Sequence, residues 1–147
     1  MRIVFATSEA NPYIKSGGLA DVLGSLPKAL AQKGHECIVV LPKYRDIKFA
    51  DTLEYVTSYD IWVGWRKCYC GVFKTVYDGV TYYFIDNEQY FRRPGLYGYD
   101  DDNERFAYDC YRRFILMFTN IAKGHPRDAM DKMLEQLKES KGYKLDT

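Results

Sequence analysis

The sequence predicts an α/β fold: a partial parallel sheet, an antiparallel hairpin inserted into it, and a helical C-terminal tail. Three observations carry that prediction. Apolar runs at residues 2–7 and 37–41 flank a run with helical spacing, giving strand, helix, strand at the start of the chain. Asp78-Gly79, a strong turn signal, stands between two strand-like runs. Met130, Met133, Leu134 and Leu137 recur at helical spacing beyond a break at Gly124-His125-Pro126.

Arg2-Ile3-Val4-Phe5-Ala6-Thr7 is short, β-branched and aromatic, as a buried parallel strand is. A loop with Asn11-Pro12 and Gly17-Gly18 follows. Leu19, Val22, Leu23, Leu26 and Leu30 then form one apolar helical face, stopped at Lys33-Gly34. Pro27 lies inside this run and is expected to kink or split the helix. Cys37-Ile38-Val39-Val40-Leu41 is a second buried strand, closed by Pro42. Two parallel strands with a right-handed crossover are expected.

Residues 59–81 change character and read as antiparallel hairpin material. Val80 to Ile85 reads as another buried strand, ending at Asp86-Asn87. A loop rich in Gly, Pro, Arg and Tyr covers 88–102. A helix is expected from near Asp101, with Phe106, Cys110, Phe114 and Met117 on one face and Asp101 and Asp102 at its positive end. The tail helix is stopped by Gly142.

The bulk composition excludes several classes. The chain has 147 residues, enough for one domain with a core. Apolar residues make up 47%, which argues against disorder. A net charge of +1 gives no nucleic-acid footprint. No apolar run is long enough to span a membrane, and the N-terminus lacks the shape of a secretory signal, so a cytoplasmic setting is expected. Cys37, Cys68, Cys70 and Cys110, with only His35 and His125 beside them, show no zinc spacing, and no metal site is expected. Cys68 and Cys70 share one face of a strand and read as buried thiols. The 14 tyrosines suit sheet packing or a wet, sugar-binding groove.

The chemistry concentrates in Lys15-Ser16-Gly17-Gly18-Leu19, between a strand and a helix start. Glycines let backbone N–H groups approach a ligand, a helix N-terminus favours an anion, and lysine adds a point charge. The pattern is neither the dinucleotide fingerprint nor the phosphate-binding loop motif. Each residue also has a plainer reading. Lys15 fits a solvated loop, Gly17 and Gly18 fit a simple turn, and Asp21 fits a first-turn dipole residue. Tyr97 and Tyr99 fit loop packing. Arg92 and Arg93 read as solvated, the 100–102 acidic run as helix entry, and His125 as a loop residue. No catalytic residue is assigned.

Several motifs in register resemble the start of bacterial glycogen synthases and plant starch synthases. They are Thr7-Ser8-Glu9-Ala10, Pro12, Lys15 through Val22, Leu26-Pro27-Lys28-Ala29-Leu30, Gly34-His35 and Leu41-Pro42-Lys43-Tyr44. Tyr83-Phe84-Ile85-Asp86-Asn87, Tyr90-Phe91, Arg93-Pro94-Gly95-Leu96-Tyr97-Gly98-Tyr99 and Glu104 to Tyr108 continue the series over roughly residues 1–118. The resemblance implies glucose transfer from ADP-glucose to the non-reducing end of an α-1,4-glucan, with retention and without a metal or separate cofactor. It implies a GT-B architecture, two Rossmann-like domains facing a cleft. Lys15 then lies against the sugar nucleotide, Gly17 and Gly18 against its diphosphate, and Asp21 close to the donor. The 93–99 loop belongs to the cleft, and either Tyr97 or Tyr99 is the cleft tyrosine.

Residues 1–122 accordingly read as an incomplete Rossmann-like domain, and 123–147 as a helical tail outside the resemblance. The later half of the first domain and the whole second domain, with its diphosphate-binding Arg and Lys and its glutamate, are not in the sequence. Two roles stay open: the donor side of a retaining hexosyltransferase that is inactive alone, or a non-catalytic module with nucleotide-sugar, glucan or protein interactions. In a doubly wound sheet the first strand is central. Here the strand at 2–7 is expected at an edge, so either the chain self-associates or the tail helix folds back over it.

Overall fold

The computed structural model describes residues 1–63 and 66–100. β1 (Arg2–Ala6), α1 (Gly18–Gln32) and β2 (Glu36–Pro42) form the expected strand–helix–strand unit. β1 and β2 are parallel, with Arg2 opposite Glu36 and Ala6 opposite Val40. A 3-10 turn at Ala50–Thr52 precedes the ribbon of β3 (Glu54–Val63) and β4 (Arg66–Tyr77). β5 (Val80–Asp86) and the short helix α2 (Glu88–Phe91) follow. The sheet order is β1-β2-β5-β4-β3. β5 runs parallel to β2 and antiparallel to β4, so a parallel half and an antiparallel half meet at β5. This is the predicted α/β fold, a partial parallel sheet with an antiparallel insertion. β1 is at the end of the sheet and pairs with β2 alone among the described residues.

The β4–β5 turn is Asp78-Gly79, with φ of 50° and 76°. Positive φ at both central residues is what a two-residue hairpin with right-handed strand twist requires. The ribbon begins earlier than the sequence suggests, at Glu54 and not near Tyr59. Its pairing shifts register between Tyr55 and Thr57, and Tyr55 and Val56 are both exposed. An irregular edge strand does not write a clean alternation into the sequence. The loop expected at 88–102 opens instead with α2, where Asn87 Oδ1 accepts the N–H of Tyr90.

α1 departs from expectation in two ways. It runs as one element through buried Pro27, neither split nor ended there. Its contact face is Ala20, Leu23 and Pro27, while Leu19, Val22 and Leu26 stay 43–50% exposed. Close approach explains this. A Cβ on Gly24 would lie 2.8 Å from Asn11 Cβ, so small residues must face the loop there and the bulkier ones turn aside. The core lies under β2, whose residues Cys37 to Leu41 are all buried, and takes in Val72, Val80, Tyr82, Phe84 and Ile85. Tyr13 reaches in from the loop after β1, its ring 4.9 Å from both Tyr82 and Phe84. Burial pushes the Tyr13 and Tyr82 hydroxyls up to about 12. The helix expected from Asp101 and the tail at 123–147 lie outside the described residues.

Candidate functional site

The site forms where β1 ends. Thr7 N–H donates to Val40 O at 3.0 Å, carrying the ladder one residue past the strand. The Thr7 hydroxyl then donates to Glu9 O at 2.8 Å and turns the chain. Tyr13 and Ile14 both donate their N–H to Ala10 O at 3.0 Å, and Lys48 N–H donates to Tyr13 O at 2.8 Å. With Ala10, Tyr13 and Ile14 buried, the loop is fixed from within.

Glu9 is 2% exposed. Its Oε2 accepts Ser16 N–H at 2.9 Å and the Ser16 hydroxyl, and its Oε1 accepts Ala20 N–H at 3.2 Å. Burial pushes this carboxyl up. The Ser16 hydroxyl and the N–H groups of Ser16, Ala20 and Gly17 outweigh burial and leave the group below its ordinary value. The N-cap position of α1 is Gly17, which has no side chain to cap with. Glu9 therefore supplies from a distance what a capping residue supplies locally.

Lys15 and Asp21 meet at the mouth of the loop. Lys15 Nζ is 2.8 Å from both Asp21 carboxylate oxygens, and Asn11 Nδ2 donates to Asp21 Oδ1 at 2.6 Å. Both ionic side chains are about half exposed, at 51% and 54%. The hydrogen bond from Lys15, with its charge, holds the Asp21 carboxyl below its ordinary value. Gly17 is extended, with φ −157° and ψ −161°, a conformation open to any residue. A Cβ on Gly17 would touch Glu9 Oε1 at an ordinary 3.9 Å, and a Cβ on Gly18 would meet nothing within 4 Å. Neither backbone strain nor internal crowding demands this glycine pair. What their bareness provides is room on the outer side.

The structure separates the two tyrosines. Tyr97 and Ser8 share a hydrogen bond of 2.7 Å between their hydroxyls, which ties the 93–99 loop to the end of β1. Tyr99 donates its hydroxyl to Pro94 O at 2.7 Å, and the Arg93 guanidinium stands 5.0 Å over its ring. Tyr99 thus folds its own loop. Lys15, Gly17, Gly18 and Asp21 lie together, Tyr97 bonds Ser8 at the start of the same loop, and Tyr99 bonds Pro94 in its own loop. Sequence reasoning gave no role to Glu9, Asn11 or Ser8. The only cue was a lone acidic residue in the connection, and nothing local says that its partners lie at Ser16 and Ala20. Among the described residues, no three His, Cys, Asp or Glu side chains cluster as a metal set. No helix among them is long and apolar enough to cross a membrane.

A lysine- and glycine-bearing connection at the carboxyl end of a parallel strand is where doubly wound α/β domains hold their ligands. The fold defines an α/β domain of the Rossmann-like class. The family model for the starch synthase catalytic domain matches residues 2–125, and the chain belongs to that family. A glycogen synthase of Clostridium botulinum (strain Eklund 17B / Type B) is 54% identical over 110 residues, 74% of this chain and 23% of that protein. A glycogen synthase of Lactobacillus acidophilus is 53% identical over 119 residues, 80% of this chain and 25% of that protein. Among solved structures, the catalytic domain of starch synthase IV from Arabidopsis thaliana, bound to ADP and acarbose, matches with a TM-score of 0.70 and 28% identity. That match covers 80% of this chain and 25% of the other. The chain thus spans about a quarter of the length of the relatives it matches.

Proposed function

We propose that this chain is the donor-side wall of an ADP-glucose-dependent α-1,4-glucan glucosyltransferase. One observation carries the reading: Lys15 stands beside a glycine pair whose missing side chains leave space outside and serve no purpose inside. A diphosphate fits there. It becomes a leaving group that gains charge as the glycosidic bond breaks, and a fixed ammonium with nearby N–H groups stabilises that charge where it develops. Asp21 would repel phosphate, and its role is to hold Lys15 and to accept a sugar hydroxyl. Tyr97 faces the cleft. The setting is cytoplasmic, and the reaction calls for no metal or separate cofactor. Ligand-observed NMR with ADP-glucose tests the site. Saturation transfer is expected for the wild type and lost in Lys15→Ala; equal signals would remove Lys15 from the site. The chain alone is expected to give no glucose transfer to glycogen, because catalysis needs both walls of the cleft positioned together. Measurable transfer in a coupled assay would contradict this.

A second reading, an interaction module, draws on β1 and α1. β1 has no second partner among the described residues, and Leu19, Val22 and Leu26 are exposed. Such a face pairs with another chain. Concentration-dependent mass in light scattering supports this reading, and a clean monomer at high concentration rejects it.

A further inference from the structure

The first-turn N–H groups of a helix are ready-made anion sites, and phosphate groups commonly sit on them. In this chain one of those first-turn groups, Ala20 N–H, already has an anion on it. Glu9 is buried, and its two oxygens reach Ser16 N–H at 2.9 Å and Ala20 N–H at 3.2 Å, with the Ser16 hydroxyl as a further donor. Ser16 immediately precedes the glycine pair and Ala20 stands two residues after it. One carboxylate therefore ties the chain on both sides of the glycine pair.

We propose that Glu9 is the positioning residue of the donor site: an internal anion that locks the 15–18 turn and diverts the diphosphate from the axis of α1 to Lys15 Nζ and the open side of Gly18. The inference rests on the donor reading above. Three features support it. Glycines lose the most freedom on ordering, so an unclamped Gly17-Gly18 would not present Lys15 in one place. The groups on the carboxylate are neutral donors, and the charged side chains of loop and helix, Lys15 and Asp21, pair with each other. A second anion on the same N–H groups would meet the Glu9 carboxylate at close range, a like-charge contact. The outer side of Gly18 has no such obstacle.

The test uses the whole 147-residue chain, isotope-labelled, with ADP-glucose as the probe. In the wild type the ligand is expected to shift the Gly18 amide and leave those of Ser16 and Ala20 in place; a dominant shift at Ala20 overturns the proposal. Glu9→Gln keeps one acceptor but turns an N–H₂ toward an N–H donor. It is expected to weaken ADP-glucose about tenfold, the worth of one charge-assisted hydrogen bond. Unchanged affinity in Glu9→Gln, with affinity lost in Lys15→Ala, overturns the positioning role and leaves the donor reading intact. If Glu9→Gln does not fold, Ser16→Ala removes one donor to the carboxylate and is expected to weaken binding several-fold; no change there overturns the role. If the wild type does not bind ADP-glucose, the donor reading fails and takes the diverted diphosphate with it. The clamp itself is then decided by a pH titration: Ser16 and Ala20 amides that follow one carboxyl group below its ordinary pKa support it, and flat amides reject it.

Discussion

Two loops leave the carboxyl ends of parallel strands and meet at Ser8 and Tyr97, yet they are built differently. The loop after β1 is held by the core. Ala10, Tyr13 and Ile14 are buried, Glu9 clamps its far end, and Asn11 N–H donates to Ala20 O of the helix at 3.0 Å. The stretch after α2 carries bonds within itself and sets Leu96 against the core. Tyr99 closes onto Pro94, Arg93 Nε donates to Gln89 O at 2.9 Å, and Gly95 and Gly98 take positive φ of 74° and 95°. Its ties to the rest include Tyr97 to Ser8 and Gly95 N–H to Asp46 Oδ2 at 3.3 Å. The contrast teaches that one corner of a fold can pair a loop fixed by buried contacts with one held by more exposed bonds. Substitutions in the first should cost stability and binding together, and those in the second should cost little stability.

The sharpest way to break that contrast is Glu9→Ala. It strands the buried Ala20 N–H and the part-buried Ser16 N–H and should cost about 2 kcal/mol in urea unfolding. A cost below about 0.5 kcal/mol, the scale of a surface substitution, would put the two loops on equal footing. This effect depends on pH in a definite direction. The folded Glu9 pKa is lowered, so its contribution is present above the unfolded value, and it fades as pH falls through the folded one. The wild-type advantage over Glu9→Gln should therefore shrink toward acid, read from urea midpoints across pH.

Gly24→Ala comes next. Its new Cβ would press on Asn11 at 2.8 Å, and the loop would have to move off α1. The expected cost is about 2 kcal/mol, with ADP-glucose binding reduced in the surviving fold. Gly95→Ala is a milder change in the other loop. It meets nothing within 4 Å, so only its φ of 74° is strained. About 1 kcal/mol is expected in thermal melts. Smallest are the two tyrosines. Tyr97→Phe and Tyr99→Phe each remove one exposed hydrogen bond and should each cost under about 1 kcal/mol. They part in solution spectra: losing Tyr97 should shift the Ser8 resonances, and losing Tyr99 should leave them in place.

The parts legible in the sequence are those set by neighbours along the chain. β1, β2 and the ends of α1 follow from apolar runs and from Gly34, which takes φ 88° beyond the helix. Asp78-Gly79 announces its own turn. What escaped depends on contacts across the fold. The rotation of α1 is decided by how closely Gly24 must approach Asn11, so the leucine stripe misled about which face is covered. The early start of β3 depends on pairing with β4 around an irregular step. In the site, Lys15, Gly17, Gly18 and Asp21 were readable because they sit close together. Glu9 was not, because its meaning lies in a partner eleven residues away at Ala20.

The sheet also carries its own chemical clock. Cys37 lies in β2, and Cys68 and Cys70 lie in β4, on either side of β5, and all three thiols are buried. Burial pushes the Cys37 thiol up, so even a fleeting contact with water leaves little of it as reactive thiolate. At these three positions, labelling by an aromatic disulfide reagent can then proceed only when the structure around the thiol opens. The order in which these positions react would time the opening of the parallel half against the antiparallel half, with no probe added to the protein.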